Sequence, residues 1–288
     1  MQDNAMTVGS YIKSLAGKLQ ALYPEKEAKA VAETMVCHAL SIERYKVLSE
    51  PEREIPQEQI LQLMAMEDQL LAAKPLQYVL GSCTFAGLRI RVKEGVLIPR
   101  PETEQLFSLA AEDAEAVMNA SEDDNFNVLD ICTGSGCLAY AFASEFPDAQ
   151  VYGCDISTEA LAVACKQRVK CIRPVFFVAD VLQAPPVGLP QFDVIVSNPP
   201  YIRESEKAAM RDNVLKWEPE LALFVPDDDP LKFYRAIASW ADALLKPAGV
   251  MWLEVNEALA QETAALFQGA EVFKDFNDKD RFVRVRKG

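Results

Sequence analysis

The sequence predicts an α/β fold built on a mostly parallel, twisted sheet, preceded by a small helical bundle and a β-hairpin. From residue 127 onward, strand-like and helix-like segments alternate, which is typical of a parallel sheet with helices on both faces. Before residue 75 the apolar residues recur at helical spacing. The closing segment, "AEVFKDFNDKDRFVRVRKG", has two strand-like runs and no helix between them. We therefore expect an antiparallel C-terminal strand pair at the end of the sheet.

The N-terminal third divides into a helical part and a glycine-punctuated part. Apolar side chains such as Ile12, Leu15 and Leu19 follow one helical face, and Pro24 and Pro56 stand where the first turn of a helix tolerates proline. Residues 76–98 change to strand-like alternation, which predicts a β-hairpin linker. The expected domains are a helical docking domain at 1–75, the hairpin at 76–98 and a catalytic domain at 99–288. The acidic stretch at 120–125 is expected to be a solvated loop.

The charge of the chain opposes nucleic-acid binding. Lys and Arg number 29 against 43 Asp and Glu, a net charge of −14, whereas phosphate binding requires a basic surface. The seven cysteines form no C-x-x-C pair, and the chain has one histidine, His38. We therefore expect free thiols and no metal site. With neither a secretory signal nor a membrane span in the pattern, the expectation is a soluble, cytoplasmic monomer without membrane or direct nucleic-acid partners.

The stretch "VLDICTGSGCLAY" predicts a nucleotide-type ligand site. It runs from a strand through Gly134 and Gly136 into a helix, whose N-terminus offers free N–H groups. Asp155 ends the next strand, where a carboxylate can accept both hydroxyls of a ribose. Asp130, Asp180 and Asn198 lie at other strand ends. Because the carboxyl ends of parallel strands line one crevice, the four polar side chains should converge there.

The glycine loop alone leaves two other interpretations open. Gly134, Gly136 and Ala139 also match the dinucleotide pattern G-x-G-x-x-G/A, which would indicate a nicotinamide enzyme. Such an enzyme needs a catalytic acid–base group, and this half of the chain has no histidine. The loop could also be a tight strand-to-helix turn that binds nothing.

A rigid corner follows the strand in "VIVSNPPYIRE". Proline fixes its own φ near −65° and keeps the preceding residue out of the helical region, so Asn198, Pro199 and Pro200 should form an extended corner. The acceptor groups beside it would then be free of ladder hydrogen bonds. Asn-Pro is also common turn punctuation, so the corner alone could be purely structural.

Taken together, the motifs resemble those of a known family. "LDICTGSG", "CDIS", "VADV" and "SNPPYI" resemble a class I S-adenosylmethionine-dependent methyltransferase. The hairpin segment "QYVLGSCTFAGLRIRVKEGVLIPRPETE" resembles that of protein-(glutamine-N5) methyltransferases of the HemK/PrmC type. Those enzymes act on the Gly-Gly-Gln motif of peptide chain release factors. The resemblance covers essentially the whole chain, and it implies the class I methyltransferase fold with S-adenosyl-L-methionine as cofactor and S-adenosyl-L-homocysteine as product.

The resemblance also implies roles for individual residues. The cofactor's methionine part would face the glycine loop, its ribose would meet Asp155 and its adenine would meet Asp180 and Val181, with Phe85 as a cover from the hairpin. Residues bordering the substrate would be Arg100, Glu102 and Thr103. The full set implied for cofactor binding is Phe85, Asp130, Thr133, Gly134, Ser135, Gly136, Cys137, Asp155, Ile156, Asp180, Val181 and Asn198.

Three positions depart from the family's pattern. Cys132 stands where the family usually has a glycine, "LEVN" lacks the usual glycine after Leu-Glu, and Asp278 replaces the glycine of Asp-x-x-Gly-x-x-Arg. Cys132 bears on the first turn of the cofactor loop, because a side chain now stands where the family has none. Gly134 and Gly136 are retained, so the cofactor interpretation stands.

The corner suggests how methyl transfer could work. An amide nitrogen is a poor nucleophile because its lone pair is delocalised. If Asn198 Oδ1 and the Pro199 carbonyl each accept one N–H of a substrate amide, Pro200 and Tyr201 complete a preset cradle that aligns the nitrogen. Two alternatives remain: an adenine-N6 DNA or RNA methyltransferase, which the acidic charge disfavours, and a module that binds the cofactor without turnover.

Overall fold

The computed structural model describes residues 6–121 and 125–288. The acidic stretch at 120–125 therefore lies partly outside the described residues. The helices are α1 (Val8–Leu19), α2 (Glu25–Leu40), α3 (Arg44–Ser49), α4 (Gln57–Leu71), α5 (Leu76–Leu80), α6 (Pro101–Ala120), α7 (Cys137–Glu145), α8 (Thr158–Ala164), α9 (Asp212–Trp217), α10 (Lys232–Leu244) and α11 (Ala260–Ala264). The strands are β1 (Ser82–Phe85), β2 (Leu88–Arg91), β3 (Asn127–Ile131), β4 (Gln150–Asp155), β5 (Val175–Val178), β6 (Phe192–Ser197), β7 (Ile202–Arg203), β8 (Phe224–Val225), β9 (Leu245–Glu254), β10 (Glu271–Lys274) and β11 (Asp280–Arg286).

The chain folds as two units. Among the described residues, the first contains 6–81 together with Arg211–Trp217, and the second contains 82–121, 125–210 and Glu218–Gly288. The division falls after Gly81, beyond the expected boundary at residue 75, because Leu76, Val79 and Leu80 of α5 pack on the helical core. The hairpin β1–β2 belongs to the second unit. No helix in either described range is long and apolar enough to cross a membrane.

The first unit is a helical bundle, as the apolar spacing predicts. Its core includes Leu15, Leu19, Met35 and Leu63, all fully buried. Pro24 and Pro56 are the N-caps of α2 and α4, so each proline marks a helix start. The sequence pattern does not predict that α9, which lies far along the chain, completes this bundle.

Several contacts hold α9 in the bundle. Arg211 forms an ion pair with Glu27, with 2.9 Å between Nη1 and Oε1. The Lys74 ammonium group lies 5.2 Å from the ring centre of Trp217, within the range of a cation–π contact. The chain thus leaves the second unit after Met210, contributes Arg211–Trp217 to the helical unit, and re-enters the second unit at Glu218.

The second unit is built on a seven-stranded sheet with the order β10-β11-β9-β6-β3-β4-β5. Strands β5, β4, β3, β6 and β9 run parallel, while β11 pairs antiparallel with both β9 and β10. This arrangement confirms the predicted fold class, including the antiparallel strands at the C-terminal end. β3 and β6 lie at the centre, with every residue of both strands buried. Their carboxyl ends are thereby held rigidly side by side.

The turn between β10 and β11 explains how Asp278 can replace a glycine. Asp278 has a φ of 63°, in the left-handed region that favours glycine and that Asp tolerates better than most residues. Asp275 at the start of the turn binds Arg281, with 3.3 Å between Oδ2 and Nε. Arg281 also donates to the Val255 carbonyl over 3.2 Å. The turn is thus fastened to the segment that follows β9.

Candidate active site

The strand ends meet at one cavity, as the sequence predicts. Asp130, Asp155, Asp180 and Asn198 come from the ends of β3, β4, β5 and β6, and all four line a cavity of about 220 Å³. The second unit supplies every lining residue. Of the other predicted site residues, Thr103, Thr133, Gly134, Ser135, Cys137, Ile156, Val181 and Pro200 also line it.

The glycine loop turns tightly between β3 and α7. Gly134 and Gly136 have φ values of 54° and 81°, and Gly136 is the N-cap of α7. A Cβ at Gly136 would lie 3.1 Å from Phe176 and 3.2 Å from Ala164. Glycine is therefore favoured at residue 136 by its backbone angle, and a side chain there would also press on its neighbours.

Cys132 also adopts a left-handed backbone, with a φ of 61°. The position keeps the conformation that suits the family's usual glycine, although its side chain now costs about 1–2 kcal/mol of local strain. The loop thus has the shape that a glycine would give it. Burial raises the pKa of the Cys132 thiol well above its ordinary value, so the side chain is a neutral part of the cavity wall.

Asp155 holds the glycine loop through hydrogen bonds and can still accept hydrogen bonds from a ligand. Its Oδ2 accepts the Gly134 N–H over 2.9 Å and its Oδ1 accepts the Ser157 N–H over 2.9 Å. Each carboxylate oxygen retains a further lone pair. Burial raises the pKa of Asp155, although these backbone hydrogen bonds oppose the shift. Asp180 similarly accepts the Leu182 N–H over 3.0 Å.

Asp130 carries an unused acceptor into the site. Its Oδ2 accepts from Thr133 Oγ1 over 2.5 Å and from the Ala139 N–H over 3.2 Å. Its Oδ1 is buried and has no hydrogen-bond partner among residues 6–121 and 125–288. Burial raises the pKa of Asp130 to about 7. A buried acceptor of this kind calls for a donor, and a cationic ligand group meets that need best.

The corner after β6 is held by side chains from distant parts of the chain. Asn198 Nδ2 donates to Thr103 Oγ1 over 2.9 Å, and Tyr201 donates its hydroxyl hydrogen to Glu254 Oε1 over 2.9 Å. Asn256 Nδ2 donates to the Tyr201 carbonyl over 3.1 Å. Asn256 is the last residue of "LEVN", where the family usually has a glycine. Its side chain therefore adds a hydrogen bond to the corner that a glycine could not make.

Six predicted residues do not line the cavity. Phe85, Gly136 and Pro199 are buried, while Arg100, Glu102 and Tyr201 are partly buried. Arg100 is engaged by Glu218, with 2.6 Å between Nη2 and Oε1. The roles implied for these six stay predictions, as do the roles implied for the residues that line the cavity.

Sequence reasoning missed three residues that build the site: Glu218, Glu254 and Asn256. Glu254 ends β9 and is fully buried. A charged residue at the end of an apolar strand, as in "GVMWLEV", was the available signal, because buried carboxylates are rare unless they are hydrogen-bonded.

The sheet order, the glycine loop after β3 and the Asn-Pro-Pro-Tyr corner after β6 together define a class I S-adenosylmethionine-dependent methyltransferase. The family model "Methyltransferase small domain" matches residues 110–216, and the model "PrmC N-terminal domain" matches residues 12–81. The chain belongs to the release factor glutamine methyltransferase family.

Relatives that carry this family name span nearly the entire chain. One from Bacteroides thetaiotaomicron is 38% identical over 286 residues, 97% of this chain and 99% of its own. One from Flavobacterium psychrophilum is 36% identical over 286 residues, with the same coverage of 97% and 99%. One from Thermodesulfovibrio yellowstonii is 34% identical over 263 residues, 89% of this chain and 91% of its own. The chain is thus an S-adenosylmethionine-dependent methyltransferase.

The cavity has the hydrogen-bond acceptors and donors that this cofactor needs. Asp130 Oδ1 offers a buried acceptor for an ammonium group, and the N–H groups at the start of α7 suit a carboxylate. Asp155 and Asp180 offer carboxylates at the ends of β4 and beside β5, where hydroxyl and amine donors can bind. When bound, the cofactor supplies an electrophilic methyl group on a sulfonium.

Proposed function

We propose that this enzyme methylates the side-chain amide nitrogen of the glutamine in the Gly-Gly-Gln motif of peptide chain release factors. The observation that carries the proposal is the direction of the Asn198 side chain. Its Nδ2 is committed to Thr103 Oγ1 at 2.9 Å, while Asn198 itself lines the cofactor cavity. Its Oδ1 is therefore available as an acceptor for a substrate N–H.

An amide substrate needs alignment more than acid–base chemistry. Asn198 Oδ1 and the Pro199 carbonyl accept the two N–H bonds of the amide, so that its nitrogen lone pair can point toward the methyl donor. The prolines at 199 and 200 are both buried, which fixes the acceptors before the substrate arrives. Tyr201, whose hydroxyl is held by Glu254, packs on the flat amide in this proposal. The amide proton becomes acidic once nitrogen is methylated, so no strong base is required.

Three features support a protein acceptor. The relatives that span this chain are named for release factors and glutamine. The net charge of −14 opposes a nucleic-acid acceptor. The helical unit gives the chain a separate surface that can dock a protein. A glutamine flanked by glycines can enter a narrow crevice, because glycine leaves the backbone slim and flexible. The proposal includes a monomeric enzyme that acts in the cytoplasm.

The decisive experiment combines the enzyme with a purified release factor and isotope-labelled S-adenosylmethionine. We expect mass spectrometry to place one methyl group on the glutamine of the Gly-Gly-Gln motif. A release factor carrying asparagine at that position is the matched control, since it keeps an amide but withdraws it by one methylene. Incorporation that persists in this control would overturn the proposal. Faster methylation of DNA or RNA oligomers at equal salt would favour an adenine-N6 activity instead.

A further inference from the structure

A chain of hydrogen bonds runs from the substrate corner to a buried carboxylate. Asn198 Nδ2 donates to Thr103 Oγ1 over 2.9 Å, and Thr103 Oγ1 donates to Glu254 Oε2 over 2.7 Å. The other oxygen of Glu254 accepts from the Tyr201 hydroxyl over 2.9 Å. Thr103 is 3% exposed and Glu254 is 0% exposed. Solvent therefore does not compete for the bond between Thr103 and Glu254.

When Glu254 is ionised, its carboxylate dictates the direction of each bond. A carboxylate can only accept, so Thr103 must give its single hydroxyl hydrogen to Glu254. The Thr103 oxygen is then left as an acceptor, and the NH₂ group of Asn198 satisfies it. An asparagine side chain has nearly the same shape when its oxygen and nitrogen exchange places. Its orientation here is set by its partners rather than by packing.

We propose that Glu254 and Thr103 are positioning residues that force Asn198 to present its oxygen, and not its NH₂ group, to the substrate amide. This inference rests on the proposed function, because presenting an acceptor matters only if the substrate offers N–H bonds. Glu254 lies outside the cavity lining, and both residues act on the substrate through Asn198. Thr103 was expected to border the substrate directly, and the structure gives it this supporting role as well.

We call the hydrogen-bonded chain of Asn198, Thr103 and Glu254 the relay. The relay requires Glu254 to be ionised. Burial raises the pKa of Glu254, while the hydrogen bonds from Thr103 and Tyr201 and the charge of Arg281 oppose that rise. Glu102 on α6 raises it further, and Tyr234 on α10 donates to the Glu254 backbone carbonyl over 3.1 Å. A protonated Glu254 could donate to Thr103 and reverse the chain of bonds. Methyl transfer at saturating cofactor should therefore fall at a pH above the ordinary glutamate range of about 4.3.

Glu254→Gln tests the relay with no change of shape. The new amide has one oxygen for two donors, Thr103 and Tyr201. All buried groups are satisfied when the amide oxygen accepts from Tyr201 and the amide NH₂ donates to Thr103. Thr103 must then donate to Asn198 Oδ1, which turns the Asn198 NH₂ group toward the substrate. We expect single-turnover methylation of the release factor to fall about 10²-fold, with cofactor affinity within threefold of the wild type and without the acidic limb of the pH profile.

A second substitution separates the relay from general damage. In the double variant Glu254→Gln with Tyr201→Phe, the amide oxygen no longer serves Tyr201 and can again accept from Thr103. Part of the lost rate should return, whereas two structural injuries would add. Asp113→Asn is the matched control. Asp113 on α6 is also a buried carboxylate, and it accepts a hydrogen bond from Trp252, which lies on β9 like Glu254. Neither Asp113 nor Trp252 lines the cavity. Its turnover should match that of the wild type.

Thr103 gives an independent test if Glu254→Gln folds poorly. Thr103→Val keeps the shape and removes the acceptor for Asn198, so the rate should fall about tenfold. Thr103→Ser keeps the hydroxyl and should restore the rate. The control is Thr263→Val, because the fully buried Thr263 hydroxyl has no hydrogen-bond partner within the described ranges.

The relay and the proposed function fail in different ways. Wild-type enzyme that leaves the glutamine unmethylated would overturn the function. Active wild-type enzyme with equally active Glu254→Gln, or a double variant slower than Glu254→Gln, would overturn the relay. The relay also has a readout without substrate: the side-chain ¹⁵N–¹H₂ signals of Asn198 should show one slowly exchanging hydrogen in the wild type and none in Thr103→Val. Equal exchange in the two proteins would contradict it.

Discussion

Arg100 and Glu218 form an ion pair beside the cavity, with 2.6 Å between Arg100 Nη2 and Glu218 Oε1. Glu218 Oε2 also accepts the Ile98 N–H over 3.1 Å. Their chain neighbours Pro99 and Pro219 both line the cavity. The Glu218 side chain is 1% exposed, so the pair is shielded from solvent on that side. It joins two segments of the cavity wall that are far apart in sequence.

Glu218→Gln should loosen this part of the wall. Because Arg100 would lose its charged partner, we expect the cofactor dissociation constant, measured by calorimetry, to rise about tenfold. Glu220→Gln is the control, since Glu220 pairs with Lys207 at 3.3 Å but is 72% exposed. Exposed pairs contribute little. Equal cofactor affinity in the two variants would show that the Arg100 pair does not shape the site.

Asp130 should make both stability and cofactor binding depend on pH. Its pKa is raised to about 7 by burial, whereas an unfolded aspartate titrates near 3.9. Between these values the folded state holds the extra proton, so this residue's contribution to stability falls as pH rises from about 4 to about 7. An ammonium group on the cofactor favours the ionised carboxylate, so affinity should increase as pH rises through about 7.

Asp130→Asn isolates these effects. The variant should show weaker cofactor binding and a flat dependence of affinity on pH between about 6 and 8. Calorimetric titrations at several pH values make the comparison. A wild-type affinity that does not change across this window would mean that Asp130 does not bind a cation.

Cys132 should tolerate glycine better than alanine. At a φ of 61° a Cβ is strained, so Cys132→Gly should be more stable than Cys132→Ala by about 0.5–1 kcal/mol. Cys154 lies within β4, where glycine weakens a strand, so Cys154→Gly should be less stable than Cys154→Ala. Chemical denaturation of the four variants gives both differences. The same sign at both positions would contradict the strain at Cys132.

Asp113 should contribute to stability without contributing to catalysis. It accepts from Trp252 Nε1 over 3.0 Å and pairs with Arg284 at 3.3 Å. Asp113→Asn should lower the free energy of unfolding by about 2 kcal/mol. Glu271→Gln is its counterpart, because Glu271 pairs with the same arginine but is 55% exposed. An effect of Glu271→Gln as large as that of Asp113→Asn would show that burial does not set the strength of these pairs.

Local sequence patterns predicted the sheet, the glycine loop and the Asn198 corner. These features depend on residues that are close in the chain, such as Gly134 and Gly136, or on periodic burial. The partners that complete the site are far apart: Thr103 and Asn198 are separated by 95 positions, and Thr103 and Glu254 by 151. Periodicity contains no information about such pairs. They become visible only when the sheet order brings β6 and β9 side by side.

The α9 segment shows the same limit. Its six residues lie between the Asn198 corner and Glu218, so a division by chain order assigns them to the catalytic domain. Their contacts place them in the helical unit instead. The deciding groups, Glu27 and Arg211, are 184 positions apart.

The central claim is that the rigid corner aligns the substrate amide through Asn198. The most direct measurement is the single-turnover rate of Asn198→Ala on the release factor at saturating cofactor, beside a calorimetric titration of the cofactor. The account predicts a rate about 10³-fold lower and a cofactor dissociation constant within a few-fold of the wild type. A rate comparable to that of the wild type would contradict it, because the corner would then be a structural turn only.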